Sequence, residues 1–313
     1  MIDLHIHSNF SDGDLSPEQL INEAVKQGLR AAALTDHDTI KGLESAKKAA
    51  AQITDNKFDK EGKFCLIPSI EISIKWANSK FTHADSGVNK APGIGPGGEF
   101  HLLGLGIKSP SSAFVSAVDR LANSRETRNR EILERMIEFS MIDSSERDSV
   151  WNELSVISNG HSLGRPHFAA FMVKRKISKN IILAFKRYLA AGKPLYVPKD
   201  GLIFEEAAAL IRESGGIPVL AHPLSLYVAW GRLPDLIKVL KDQGLMGLEA
   251  WHPTAKYGSC RRLEALAKSF YLYVTEGSDY HGAFRPNVNL GYSNKGRKIS
   301  DAVLDAIPEL AVC

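Results

Sequence analysis

Two histidines stand two residues apart in Asp3-Leu4-His5-Ile6-His7, near the start of the chain. In an extended strand, residues two apart point to the same side, so the two imidazoles present their nitrogens to one point in space, as a pair of metal ligands would. An isolated pair of this kind also occurs on wet strand faces, so its meaning depends on what recurs downstream. His37, flanked by Asp36 and Asp38, follows the apolar run 31–35; Glu71 lies in the run 64–74; His101 lies in the run 100–107. His222 follows 217–221, Glu249 follows 245–248, and Asp279 and His281 follow 271–275. In a parallel β/α barrel the strand ends converge on one mouth, which would bring ligands scattered over the sequence together.

The elements that must position these groups alternate. Ser16, Pro17 and Gln19 read as the start of a helix, with Ser16 as N-cap and a capping box, and Gly28 ends it. A second helix is expected over 40–52, a loop insertion over 76–99, and further helices from Ser111 to about Ala191 with no clear strand among them. In that block Arg125, Arg128 and Arg130 interrupt the apolar stripe. An all-helical stretch inside an alternating chain reads as an inserted subdomain, giving a division into 1–110, 111–198 and 199–313. A helix over 204–214 resumes the alternation.

At 313 residues, with 44% hydrophobic and 24% charged residues, the chain has the composition of a soluble globular protein. No run of about 18 apolar residues is present, and no secretory signal is recognisable at the start, so the cytoplasm is the expected location. Cys65, Cys260 and Cys313 form no C-x-x-C pair. That argues against a disulfide scaffold and a thiolate zinc site, so any metal is held by nitrogen and oxygen. The formal charge is +3, but residues 165–199 hold nine Lys or Arg and no acid, a segment able to face a polyanion. No RNA-recognition motif or aromatic stacking platform is evident.

The segments DLHIHSNFSDG, ALTDHDT, the Glu of SIEISI, HLLGLGI, LAHP and GSDYHG resemble the successive motifs of the PHP (polymerase and histidinol phosphatase) family of metal-dependent phosphoesterases. SLGRPHFAAFM and AFKRYLAAGKPLYVPK resemble the helical insertion of the branch with RNase AM-type 5′→3′ exoribonucleases and nucleoside mono- and 3′,5′-bisphosphate phosphatases. The resemblance implies an α/β fold, a distorted seven-stranded β/α barrel, with three divalent metal ions. It implies a first ion on His5, His7, Glu71 and Asp279, a second on Glu71, His101 and His222, and a third on Asp12, His37 and His281. The loop of roughly twenty extra residues between Glu71 and His101, including His83, departs from the pattern.

Ligation by His and carboxylate suits Zn, Mn or Fe. Two close ions lower the pKa of a bridging water from about 15.7 towards about 7, giving the expected nucleophile, a metal-bound hydroxide. Arg165 and His167 are the candidates for gripping a phosphate, with Arg125, Arg128 and Lys199 behind them. Asp36 is expected to orient a ligand, and Glu249 likewise; His83, His161 and His252 receive no role. The substrate expected is a nucleotide or 5′-phosphorylated RNA, the acid-free segment favouring the longer polyanion. Two alternatives stay open: an amidohydrolase-type hydrolase, and a PHP-like module that binds a partner without catalysis.

Overall fold

A computed structural model describes residues 1–55, 64–75, 98–158, 163–198 and 200–310. Lys199, His83, His161, Cys313 and most of the expected 76–99 loop lie outside the described residues. Among the described residues eight strands form two sheets. The first pairs β1 (Ile2–Ile6), β2 (Ala31–Leu34) and β3 (Cys65–Pro68) in parallel. The second runs in order through β4 (Ile70–Ser73), β5 (His101–Leu105), β6 (Ile217–Leu220), β7 (Gly247–Trp251) and β8 (Tyr273–Glu276).

The sheets meet at two backbone seams. Asp279 N–H donates to the His5 carbonyl (2.8 Å) and His7 N–H to the Tyr280 carbonyl (3.0 Å); Glu71 N–H donates to Asp36 (3.2 Å) and Asp38 N–H to Glu71 (2.9 Å). The single expected run 64–74 is thus two strands, divided at Ser69, one in each sheet.

Strand β5 differs from the all-parallel expectation. It is antiparallel to both β4 and β6, with His101 opposite Ser73 and Leu103 opposite Glu71. A parallel neighbour needs a crossover to the far end of the sheet. Here the chain returns beside the end of β4, so His101 reaches the same end as Glu71 from the start of its strand.

Strand β1 also breaks simple alternation. Its register on β2 gains one residue between Asp3 and Ile6, a β-bulge. Leu4 packs with Leu103 and Val219, whereas Ile6, two residues on, packs with Leu20 and Ala46 of the outer helices. Those helices are α1 (Pro17–Lys26), capped by Ser16 and Gln19 as the sequence indicates, and α2 (Leu43–Asp55). A second bulge lies in β7 between Glu249 and Trp251.

The helical block holds α3 (Ser112–Glu138), α4 (Arg147–Ile157), α5 (Arg165–Lys174) and α6 (Ile181–Ala184), the last continued by a π-helical turn. At 27 residues α3 is about 40 Å long. Phe114, Val118 and Leu121 pack with the strands and Ile132, Leu133 and Met136 with the other helices of the block. Arg125, Arg128 and Asn129 lie buried between these two apolar stretches, which is why the first two arginines interrupt the stripe, whereas Arg130 is exposed and pairs with Glu126. Cys260 is a buried thiol. Among the described residues no helix is long and apolar enough to cross a membrane.

The buried Asp3 carboxylate holds the bulged start of β1. It accepts N–H bonds from His5 (3.2 Å), Ser278 (3.0 Å) and Gly291 (2.8 Å), tying the first strand to the loop after β8 and to the C-terminal segment. Asp3→Ala leaves three buried donors unmatched and is expected to lower the unfolding free energy by roughly 3 kcal/mol or more, measured by urea denaturation. Asp3→Asn, which keeps one acceptor oxygen, should lose less; equal stability of Asp3→Ala and the parent would remove Asp3 from this role.

Candidate metal centre

Glu71 is fully buried, and both of its oxygens face imidazoles. Oε2 is 3.2 Å from His5 Nε2, 3.2 Å from His7 Nε2 and 3.1 Å from His37 Nδ1. Oε1 is 2.8 Å from His101 Nδ1 and 2.9 Å from His222 Nε2. Asp279 Oδ1 lies 3.6 Å from His5 Nε2 and 3.4 Å from His7 Nε2. On the other side of His7, Asp12 is 3.2 Å from His281 Nε2 and 3.8 Å from His37 Nε2. All nine sequence-derived ligand candidates are therefore brought together: seven fall in overlapping clusters that share His7, His37 and Glu71, while His222 adjoins them through Glu71 and Asp279 through His5 and His7.

The hydrogen bonds around the centre fix which nitrogens are free. His5 Nδ1–H donates to Glu249 Oε1 (2.9 Å), and His281 Nδ1–H to the Asp279 carbonyl (2.9 Å). Ser225 donates to the Glu99 carbonyl, so its oxygen accepts from His222 Nδ1–H (2.8 Å). Each of these rings then turns Nε2 towards a carboxylate oxygen. Against the effect of burial, the charges of Glu71, Asp279 and Glu249 raise the pKa of His5 and His222, so the contact calls for a cation there, a proton or a metal ion. His7 Nε2, His281 Nε2 and Asp12 Oδ1 are buried without a hydrogen bond. A cation between such groups reconciles them, and the nitrogen and oxygen donor set fits a divalent metal.

Electrostatics agree. Burial alone would raise the Glu71 pKa, but His37, His101 and His5 hold it well below the ordinary carboxylate value. Asp12 and Asp279 are likewise held low against their burial, Asp12 by His37 and His281, Asp279 by Arg285 and His5. The three carboxylates are anions ready for cations.

The supporting residues divide into expected and unexpected ones. Glu249 takes the role foreseen: besides His5 it accepts the His222 N–H (2.7 Å). Asp36 acts elsewhere than on a ligand imidazole. Its carboxylate accepts Ser8 N–H (2.8 Å), Ser8 Oγ–H (2.6 Å) and Ser11 Oγ–H (2.7 Å), and so holds the loop that carries Asp12. Gly13 lets that loop close, since a Cβ there would lie 2.3 Å from the His7 carbonyl oxygen.

His252, given no role by the sequence, follows β7 as the candidate ligands follow their strands. Its Nδ1 accepts the Thr254 N–H, so Nε2–H donates to Asp279 Oδ2 (3.1 Å). Arg285, which carried no motif signal, pairs with the same oxygen. Asp38 accepts from Ser73 N–H and Oγ–H and binds Arg125 at 2.6 Å.

Arg125 is buried, and it senses the charges of Asp12 and Glu71. Arg165 pairs with Glu99, donates to the Leu189 carbonyl, and lies by the rings of Phe185 and Tyr196. His167 is fully buried; its Nδ1 accepts the Gly164 N–H (2.9 Å), leaving Nε2–H as a donor without an acceptor. Burial pushes its pKa down to about 4, so the ring is neutral. A cavity of about 350 Å³ opens beside His37, lined by Phe10, Lys41, Arg125, Trp151 and Leu163.

Residues 3–104 match the model of the PHP domain. The 5′-3′ exoribonuclease Rnm of Salmonella typhimurium is 30% identical over 282 residues, 89% of this chain and 84% of the relative. The 3′,5′-nucleoside bisphosphate phosphatase of Chromobacterium violaceum is 26% identical over 292 residues, 93% and 91% of the two chains. A solved structure named as an amidohydrolase from Chromobacterium violaceum, with bound sulfate, superposes with a TM-score of 0.76 at 25% identity, covering 97% of this chain and 96% of that one. With an α/β fold of the same kind, relatives aligned over most of their length and buried His, Asp and Glu clusters, the chain belongs to the PHP-domain family and is a metal-dependent phosphoesterase, a hydrolase.

Proposed function

We propose that this phosphoesterase acts on 5′-phosphorylated RNA, releasing nucleotides from the 5′ end. The observation that carries the reading is the pairing of the carboxylate and imidazole centre around Glu71 with buried cationic and N–H donors on α3 and α5. The likeness to exoribonucleases supports it. The two sheets, joined at their seams, read as the distorted seven-stranded barrel when β3 and β4 are counted as one divided strand, with 111–198 as an insertion between barrel parts 1–110 and 199–313.

Three ions fit the ligand grouping: one on His5, His7, Glu71 and Asp279, one on Glu71, His101 and His222, one on Asp12, His37 and His281. Zn, Mn and Fe all suit it. Such ions supply Lewis-acid polarisation of the phosphoryl group and acidify water. The chain's own residues do the rest. Glu71 offers two oxygens in opposite directions and keeps neighbouring cations from repelling one another. Glu249, Asp36 and His252 fix the ligands, so that little reorganisation accompanies the reaction. Arg125, Arg165 and Lys199 neutralise phosphoryl oxygens, and His167 offers Nε2–H to one of them. Arg165 exchanges Glu99 for substrate as it does so.

A second reading, a phosphatase of 3′,5′-bisphosphate nucleotides, has one observation in its favour. In the acid-free segment Arg165 pairs with Glu99, Lys174 with Glu153, and Arg175 with Glu146 and Glu153. Glutamates from neighbouring elements thus shorten the basic track open to a long polyanion.

Hydrolysis of AMP, a 3′,5′-bisphosphate nucleotide and a 5′-phosphorylated RNA oligomer should be compared on one sample of known metal content. Stepwise release of mononucleotides from the 5′ end of the oligomer is the expected result; turnover of the bisphosphate alone would replace it with the second reading. Glu71→Gln should retain its circular dichroism spectrum, lose bound metal by elemental analysis, and lose activity by roughly 10³-fold. Full activity with reduced metal would overturn the shared role of Glu71.

A further inference from the structure

The cavity beside His37 joins the candidate metal centre to the helical block. Its volume of about 350 Å³ lies within the usual range for small-molecule sites, about 300–1,000 Å³. His37 and Arg125 line it, and so do two aromatic rings from distant segments, Phe10 and Trp151. Neither ring is fully buried.

Trp151, on α4, is braced from outside the cavity. The Arg130 guanidinium lies over its ring, 4.4 Å from the centroid, and Glu126 holds that guanidinium through Nε (3.2 Å) and Nη2 (2.9 Å). Trp151 and Glu126 are part of the cavity wall and Arg130 is not. The indole also packs on the apolar core of the helical block. That packing accounts for the buried part of the ring and not for the part that lines the cavity.

Phe10 belongs to the loop that carries Asp12. Its N–H donates to Ser8 Oγ (3.2 Å), and Ser8 is bound to Asp36, so the bonds that set the ligand loop also place this ring. At Gly42 an added Cβ would lie 3.3 Å from Phe10 Cγ, and the bare backbone there leaves the ring its space.

We propose that this cavity is a nucleobase subsite, in which a base of the substrate stacks on Trp151 with Phe10 as a second aromatic wall while the phosphate lies at the metal centre. A base and the phosphate of its nucleotide are joined through one ribose, and the cavity and the centre share His37, so one nucleotide spans both. Stacking reads the π-face that every base has. The subsite therefore accepts any base and discriminates against phosphate esters that carry none. Because one ring comes from the strand layer and the other from the helical block, the sequence shows no stacking platform. This inference rests on the reading that the substrate is a nucleotide or RNA.

The test uses the metal-loaded full chain as parent, Trp151→Leu, Trp151→Phe and Phe10→Leu. Its readout is the ratio of kcat/KM for AMP over ribose 5-phosphate, the same ester without a base. The ratio should fall roughly tenfold in Trp151→Leu, less in Trp151→Phe, which keeps a ring, and also in Phe10→Leu. A tryptophan kept only for structure would lower both rates together, and an equal ratio in parent and Trp151→Leu overturns the subsite. Turnover of ribose 5-phosphate by the parent as fast as AMP removes the subsite and leaves the phosphoesterase in place. If the parent hydrolyses neither ester, the substrate reading fails by itself, and calorimetric titration decides the subsite. AMP should then bind the parent at least about tenfold more tightly than ribose 5-phosphate, and Trp151→Leu should cancel the difference. Equal affinities in the parent overturn the proposal.

Discussion

Placing a fully buried carboxylate among imidazoles is the constraint to which the rest of this fold answers. Glu71 is fully buried, and each nitrogen that faces it needs either a proton or a shared metal ion at the contact. Such an arrangement is stable only with cations between its parts. The backbone is built to hold it: the two seams between the sheets are made by His5, His7, Asp279 and Tyr280 on one side and by Asp36, Asp38 and Glu71 on the other. The bonds that join the sheets are thus the bonds that fix the ligands, and neither can shift alone.

Local irregularities in the strands serve the same end. The bulge in β1 lets Leu4 face the inner core while His5 and His7 reach the centre, and the bulge in β7 occurs at Glu249, which steadies His5 and His222. Asp279 and His222 adopt positive φ of 53° and 26°, a backbone region unfavourable for residues with a side chain. Strain of this kind persists only where surrounding bonds over-determine it, and here those bonds come from the seams, Glu249 and His252.

The long helix α3 carries buried Arg125 beside the candidate centre. One end is packed into the strand layer and the other into the helical block, so the buried arginines between them are held by hydrophobic contact at both ends. Arg125 and Arg165 thus lie near the candidate ligand carboxylates without pairing with them, because Asp38 and Glu99 draw them into place, whereas Arg285 does pair with Asp279, on Oδ2.

The sequence by itself determined the family, the capped first helix, the alternation of elements and the nine residues of the candidate centre. These were legible because ligands lie beside short apolar strands, and strand ends are marked by composition alone. His252 carries the same mark, whereas Arg285 and the pairing of Asp38 with Arg125 depend on approaches between distant segments that leave no local pattern. Only the tertiary structure decided that Asp36 holds the Asp12 loop, that β5 runs in reverse, that the 64–74 run divides at Ser69, and that glutamates from other helices temper the basic segment. The physical reason is common to all four: hydrophobic period and residue type specify which groups are buried, while strand direction, register and the choice of partner follow from long-range backbone pairing.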